Sequence, residues 1–87
     1  GALPDRRTLS PQGIEFTMAA HVVGPHLLTR ELEAALAKGA RVVWVSSGGM
    51  YSQKLDLEDW NWEARPYDGV TAYAQTKRMQ VVLSELW

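Results

Sequence analysis

Apolar residues recur at helical spacing in two stretches of this chain and run almost unbroken in a third stretch between them. Ile14, Met18 and Val22, then Leu28, Leu32 and Leu36, mark one face of a long helix. Ser10 and Pro11 supply a helix start, with Ser10 as the N-cap and Pro11 at the first helical position. Lys38 in the last turn and Gly39 just beyond it supply the end. Pro25 interrupts this helix. It has no N–H for the carbonyl of residue 21, and its ring pushes that carbonyl away, so a kink is expected near His21–Gly24.

Ala40 to Ser47 (ARVVWVSS) is apolar and rich in β-branched residues. It reads as a strand of a parallel sheet, buried on both faces and closed by Gly48-Gly49. Met50 to Val70 reads as a long polar loop holding Trp60, Trp62, Pro66 and Gly69. Helical spacing resumes from Thr71 to Trp87 through Ala72, Met79, Val82, Leu83 and Leu86. Gly1 to Leu9 shows no period and reads as a loop. Helix, strand, helix is one unit of an α/β fold. A lone parallel strand leaves its backbone N–H and C=O groups without partners. Residues 1–87 are therefore expected to be the central part of one larger domain.

Composition narrows the function classes. With 87 residues the chain holds at most one small domain, and 46% hydrophobic content is too high for a disordered chain. The net charge is −1 and no basic stripe is visible, which argues against a nucleic-acid partner. There is no cysteine, hence no disulfide framework and no thiolate metal site. His21 and His26 have no carboxylate cluster beside them, so no metal site is expected. No apolar run has the length of a membrane span, and the N-terminus lacks a signal-peptide pattern.

The chemistry resides in Tyr73 and Lys77. On a helix, positions i and i+4 share a face one turn apart. An ammonium there stabilises a neighbouring phenolate and draws the tyrosine down from its ordinary value near 10. A hydroxyl at the end of the preceding strand, Ser46 or Ser47, can hold a carbonyl beside the phenol. Such a set suits proton transfer in alcohol–carbonyl chemistry. The spacing by itself is common; the order of amphipathic helix, strand ending in two serines, loop and Tyr/Lys helix is what gives it weight.

In that order the residues resemble the short-chain dehydrogenase/reductase family, in its retinol-dehydrogenase-like branch. Gly1-Ala2 resembles the end of the family's Asn-Asn-Ala-Gly turn. The stretch from Gly13 through His21-Val-Val-Gly-Pro to Leu-Leu-Thr resembles the helix beneath the active site. RVVWVSS resembles the strand carrying the catalytic serine, and YAQTK the catalytic helix. The resemblance implies an α/β fold with a Rossmann-type doubly wound parallel sheet. It also implies NAD or NADP as cofactor, and hydride transfer between a small-molecule alcohol and a ketone or aldehyde. By residue, it makes Tyr73 the general acid/base. Lys77 would tune Tyr73 and, with it, hold the nicotinamide ribose. Ser47 would orient the substrate carbonyl, with Ser46 the alternative because a one-residue slip turns a strand side chain to the other face. A homo-oligomer pairing through these helices is a further family expectation.

Two departures from the family pattern stand out. The family's fourth active-site residue is an asparagine, and His21 stands in its place. Either the carbonyl of residue 21, freed by Pro25, still holds a relay water, or His21 is a core histidine satisfied by a neighbour, or its presence marks lost catalysis. The second departure is a long span between Ser47 and Tyr73, which the retinol-dehydrogenase-like branch shares. In that span Trp60 and Trp62 are expected to pin the loop to the surface rather than line a substrate mouth. His26 reads as a surface residue, and Lys54, Arg65 and Arg78 as solvated charges. The rival reading is a non-catalytic family member; a glycine-rich phosphate loop, which these residues do not contain, would discriminate the two.

Overall fold

The computed structural model describes residues 1–87. The first helix begins at Phe16, not at Ser10. Gly13, at φ 80°, turns the chain back so that Leu9 and Glu15 pair as an isolated antiparallel bridge. Ser10 Oγ is used inside that turn, accepting from the amides of Gln12 (3.3 Å) and Ile14 (3.2 Å). A serine that satisfies local amides in a turn no longer caps a helix. Glu15 caps instead: its carboxylate accepts from the first-turn amides of Thr17 and Met18, both at 2.9 Å.

The helix runs as α1 (Phe16–Met18), a π-helical segment (Ala19–Val23) and α2 (Gly24–Leu32). The interruption expected from Pro25 thus takes the form of a widened turn rather than a sharp kink. Gly24 N–H donates back five residues to the Ala19 carbonyl. A Cβ on Gly24 would lie 2.7 Å from that carbonyl oxygen, so the wide turn requires glycine. Helical backbone stops at Leu32, followed by a 3₁₀ turn (Glu33–Ala35), short of the expected end at Lys38. Leu32 and Leu36 remain exposed. A periodic apolar face with nothing to cover it does not sustain a helix by propensity alone.

The expected strand Ala40–Ser47 is unpaired and without regular structure, ending in extended backbone at Ser47 (φ −148°, ψ 138°), and the chain contains no sheet. Val43 is 80% and Val45 73% exposed. Apolar, β-branched sequence encodes an extended backbone; a ladder needs neighbouring strands, which these residues do not supply. The residues by themselves are mostly helical, which corrects the α/β expectation at this scale.

The second long helix, α3 (Gly69–Leu86), starts two residues before the expected Thr71. Asp68 caps it, accepting from the amides of Val70 and Thr71 and from the Thr71 hydroxyl. The Thr71 hydrogen bonds hold the Asp68 carboxyl below its ordinary value. The opening segment lies along α3: Gly1 sits by His21 and Lys77, and a Cβ on Gly69 would strike the Pro4 carbonyl. Four apolar residues are buried against seven polar or charged ones. The interior at this junction is therefore a polar site more than an apolar core.

Candidate active site

Tyr73 and Lys77 stand on the face of α3 that meets the π-helical segment and the end of the segment Ala40–Ser47. Lys77 is 5% exposed. Its ammonium donates to the Val45 carbonyl at 3.2 Å and to Gln80 Oε1 at 3.3 Å, and lies 5.8 Å from the centre of the Tyr73 ring. A buried lysine is held charged only by such partners. It opens on a cleft of about 320 Å³ whose walls include Pro25, Thr29, Trp44 and Val45.

Ser47 approaches the same face from the other side. It caps a 3₁₀ turn (Gly48–Ser52), its Oγ accepting from Gly49 N–H at 3.2 Å. A hydroxyl that accepts in this way keeps its own proton to donate. Gly49 lies between Ser47 and the phenol: a Cβ there would be 3.4 Å from Ser47 Oγ and 3.6 Å from Tyr73 Cε1. Ser46 instead points its hydroxyl at Met50 Sδ, 3.8 Å away. Of the two serines, the geometry brings Ser47 to Tyr73.

His21 is buried at the centre, 1% exposed. Its Nε2 accepts from Ala2 N–H at 3.0 Å, and its Nδ1 lies 2.9 Å from Thr76 Oγ1. The Thr76 hydroxyl proton goes to the carbonyl of Ala72 (2.8 Å) or Tyr73 (3.1 Å). That leaves the threonine oxygen to accept, so the neutral Nδ1–H tautomer is the one assigned. Burial, and then the Lys77 ammonium, push the imidazole down to about 4. The ring meets Tyr73 edge-on at 5.3 Å between centroids. Both nitrogens of this buried ring are thus engaged within the protein.

The loop before α3 is pinned around Trp62. Trp62 is buried, lies edge-on to Tyr67 at 5.1 Å and carries the Arg65 guanidinium 3.5 Å above its ring. Trp60 stays partly exposed. Two charges expected in solvent are structural. Arg65 also donates to Gln75 Oε1 (3.1 Å) and its Nε lies 3.4 Å from Asp59 Oδ2, an ion pair without hydrogen-bond alignment. Arg78 donates to the carbonyls of Met50 and Gln53, fastening the Ser47 turn to α3. Guanidinium planes find such carbonyl and aromatic partners readily. His26 is half-buried and lies tilted against Trp87, ring centroids 5.5 Å apart, rather than free on the surface.

Three residues in and around the site are not marked by the sequence pattern. Thr76 is within reach of it, since i+3 from Tyr73 shares the face that i+4 does. Glu15 and Tyr67 are not, because nothing local marks a glutamate as buried or gives it a partner 52 residues away. No helix is long and apolar enough to cross a membrane, and no group of three or more His, Cys, Asp or Glu is placed to hold a metal ion.

The order of segments, the face they share and the sequence relatives agree: the chain belongs to the short-chain dehydrogenase/reductase family. It is 45% identical over 89 residues to human dehydrogenase/reductase SDR family member 12, covering 100% of this chain and 28% of that protein. It is 42% identical over 85 residues to a protein of Streptomyces antibioticus named "Probable oxidoreductase", covering 95% of this chain and 28% of the other. Mouse retinol dehydrogenase 13 matches at 32% over 75 residues, 84% of this chain and 22% of that protein. The chain thus spans between a fifth and a third of the length of these relatives. No family model and no solved structure matches it. The family implies a Rossmann-type fold for the whole protein.

Proposed function

We propose that the whole protein is an NAD- or NADP-dependent oxidoreductase interconverting a small-molecule alcohol and its ketone or aldehyde. One observation carries this reading. Ser47, from the end of one segment, meets Tyr73 of α3 across Gly49, and Lys77, the only buried lysine, lies one turn further along α3 with its ammonium 5.8 Å from the Tyr73 ring. Tyr73 is the general acid/base: its phenol protonates the carbonyl oxygen in reduction, and its phenolate takes the alcohol proton in oxidation. Ser47 donates a hydrogen bond to that same oxygen and keeps its proton. Lys77 keeps a positive charge beside the phenol and faces the cleft.

The residues present fit a nicotinamide cofactor. The cleft bordering Lys77 is walled largely by apolar side chains, among them Leu28, Val43 and Trp44, with Lys77 as its one cation, and at Gly1 a Cβ would crowd in, 3.2 Å from His21 Nε2 and 3.6 Å from Lys77 Nζ. A bound nicotinamide supplies the hydride donor or acceptor. Lys77 and Tyr73 would hold its ribose. His21, spent on Ala2 and Thr76, keeps Tyr73 in place and moves no proton.

The test is turnover by the intact protein. Secondary and primary alcohols are offered with NAD and with NADP, and reduced cofactor is followed by absorbance. Ser47→Ala is expected to lower kcat by roughly 10²-fold, the scale of one lost donor to a developing oxyanion, and Ser46→Ala by less than about twofold. No turnover with either cofactor in both directions, or loss confined to Ser46→Ala, would overturn the reading.

A further inference from the structure

The only glutamate buried in the molecule lies outside the site just described. Glu15 is 0% exposed, and the sole ion pair in the structure belongs to Arg65 and Asp59. No cation neutralises Glu15. Four hydrogen bonds do: from Thr17 N–H (2.9 Å), Thr17 Oγ1 (2.6 Å), Met18 N–H (2.9 Å) and Tyr67 Oη (2.7 Å). Three of these donors belong to the first turn of α1. The fourth belongs to the residue directly before Asp68, the cap of α3. One buried anion thus joins the starts of the two helices that carry His21 and Tyr73.

A second strut runs beside it. Asn61 Oδ1 accepts from Glu15 N–H at 2.7 Å, and Asn61 Nδ2 donates to the Gly13 carbonyl at 3.0 Å. Burial and the bond to Glu15 push the Tyr67 phenol far above its ordinary range, so it stays a donor. A buried carboxylate needs every one of its donors, because each lost bond leaves charge unsolvated. The starts of α1 and α3 are therefore held in one arrangement.

We infer that Glu15, with Tyr67, is a positioning residue for the proposed reaction: the clamp fixes where α3 sets Tyr73 against Ser47 and His21. This rests on the functional reading above. Displacement of a catalytic group by 1 Å costs on the order of 10²-fold in rate. A clamp six residues before Tyr73 controls displacements of that size.

The experiment compares Tyr67→Phe, Glu15→Gln and their combination in the intact protein, with Tyr73→Phe alongside. Tyr67→Phe removes one hydroxyl and keeps the ring on Trp62. It should lower kcat about tenfold at 25 °C, with KM for substrate and cofactor within about twofold. The double variant should lose no more than the worse single one, since both act through one contact. Hydrogen exchange over residues 69–76 should quicken in Tyr67→Phe, with residues 80–86 little affected. A fall in melting temperature with kcat unaltered, in an enzyme that Tyr73→Phe silences, would overturn the clamp and leave the functional reading standing. Unaltered exchange over 69–76 would overturn it as well. Should Tyr73→Phe retain full turnover, the functional reading falls and the exchange result alone decides the clamp. If Glu15→Gln does not fold, the kcat and exchange rates of Tyr67→Phe decide between the two outcomes.

Discussion

His21 shows what a change of side chain at a fixed position does. Both ring nitrogens are committed and burial holds the imidazole at about 4, so it is neutral in the folded protein at neutral pH. In the unfolded chain it titrates near 6.5. Between these values the unfolded chain binds a proton that the folded chain refuses. Its contribution is therefore fully present above about pH 6.5 and is lost as pH falls toward about 4. The gap is worth on the order of 3 kcal/mol across the window. Denaturant titrations of the intact protein at several pH values should show this slope, and His21→Asn should flatten it. An equal slope in both proteins would contradict the assignment. At this scale the placing of Tyr73 and Lys77 on one helix face was legible from sequence, because an i, i+4 pair is local. The Ser47–Ser46 choice, the satisfaction of His21 by Ala2 and Thr76, and the Glu15–Tyr67 bond were not, because each depends on a residue distant along the chain or on which way a side chain turns.

Among the elements, α3 was legible almost to its ends, since its period, its cap and its partner face all lie in these residues. The first helix was legible in its interruption and misread at both ends. Gly13 and Ser10 form a turn that competes with capping, and Leu32 and Leu36 have no covering surface. Its π turn gives a sharp prediction. Gly→Ala inside a helix ordinarily stabilises by up to about 1 kcal/mol. At Gly24 the new Cβ meets a backbone oxygen at 2.7 Å, which no rotamer change relieves. Gly24→Ala should instead destabilise the intact protein by about 2 kcal/mol, the usual scale of overpacking, in equilibrium denaturation. A variant more stable than the parent would show that the wide turn is not required.

For the molecule as a whole, the exposed surface is 6027 Å², against roughly 5,100 Å² for a compact protein of this mass. Leu27, Leu28, Val43 and Val45 are among the apolar residues left in water. The segment Ala40–Ser47 makes no strand pairs, as a single strand without neighbours must not. These 87 residues, prepared alone, should show weak helical circular dichroism and a broad, non-cooperative melt. A sharp two-state transition of the monomer would contradict that. The α/β class was legible only as a property of the whole protein, since a sheet is made by strands that pair and this chain carries one candidate. The central claim concerns what Tyr73 does once that frame is complete, and one measurement addresses it most directly: kcat and dinucleotide affinity of Tyr73→Phe in the intact protein. The variant keeps the ring against His21 and loses only the hydroxyl. The account predicts a fall in kcat of roughly 10²–10⁴-fold with cofactor affinity within a few fold. Turnover within a few fold of the parent would contradict it.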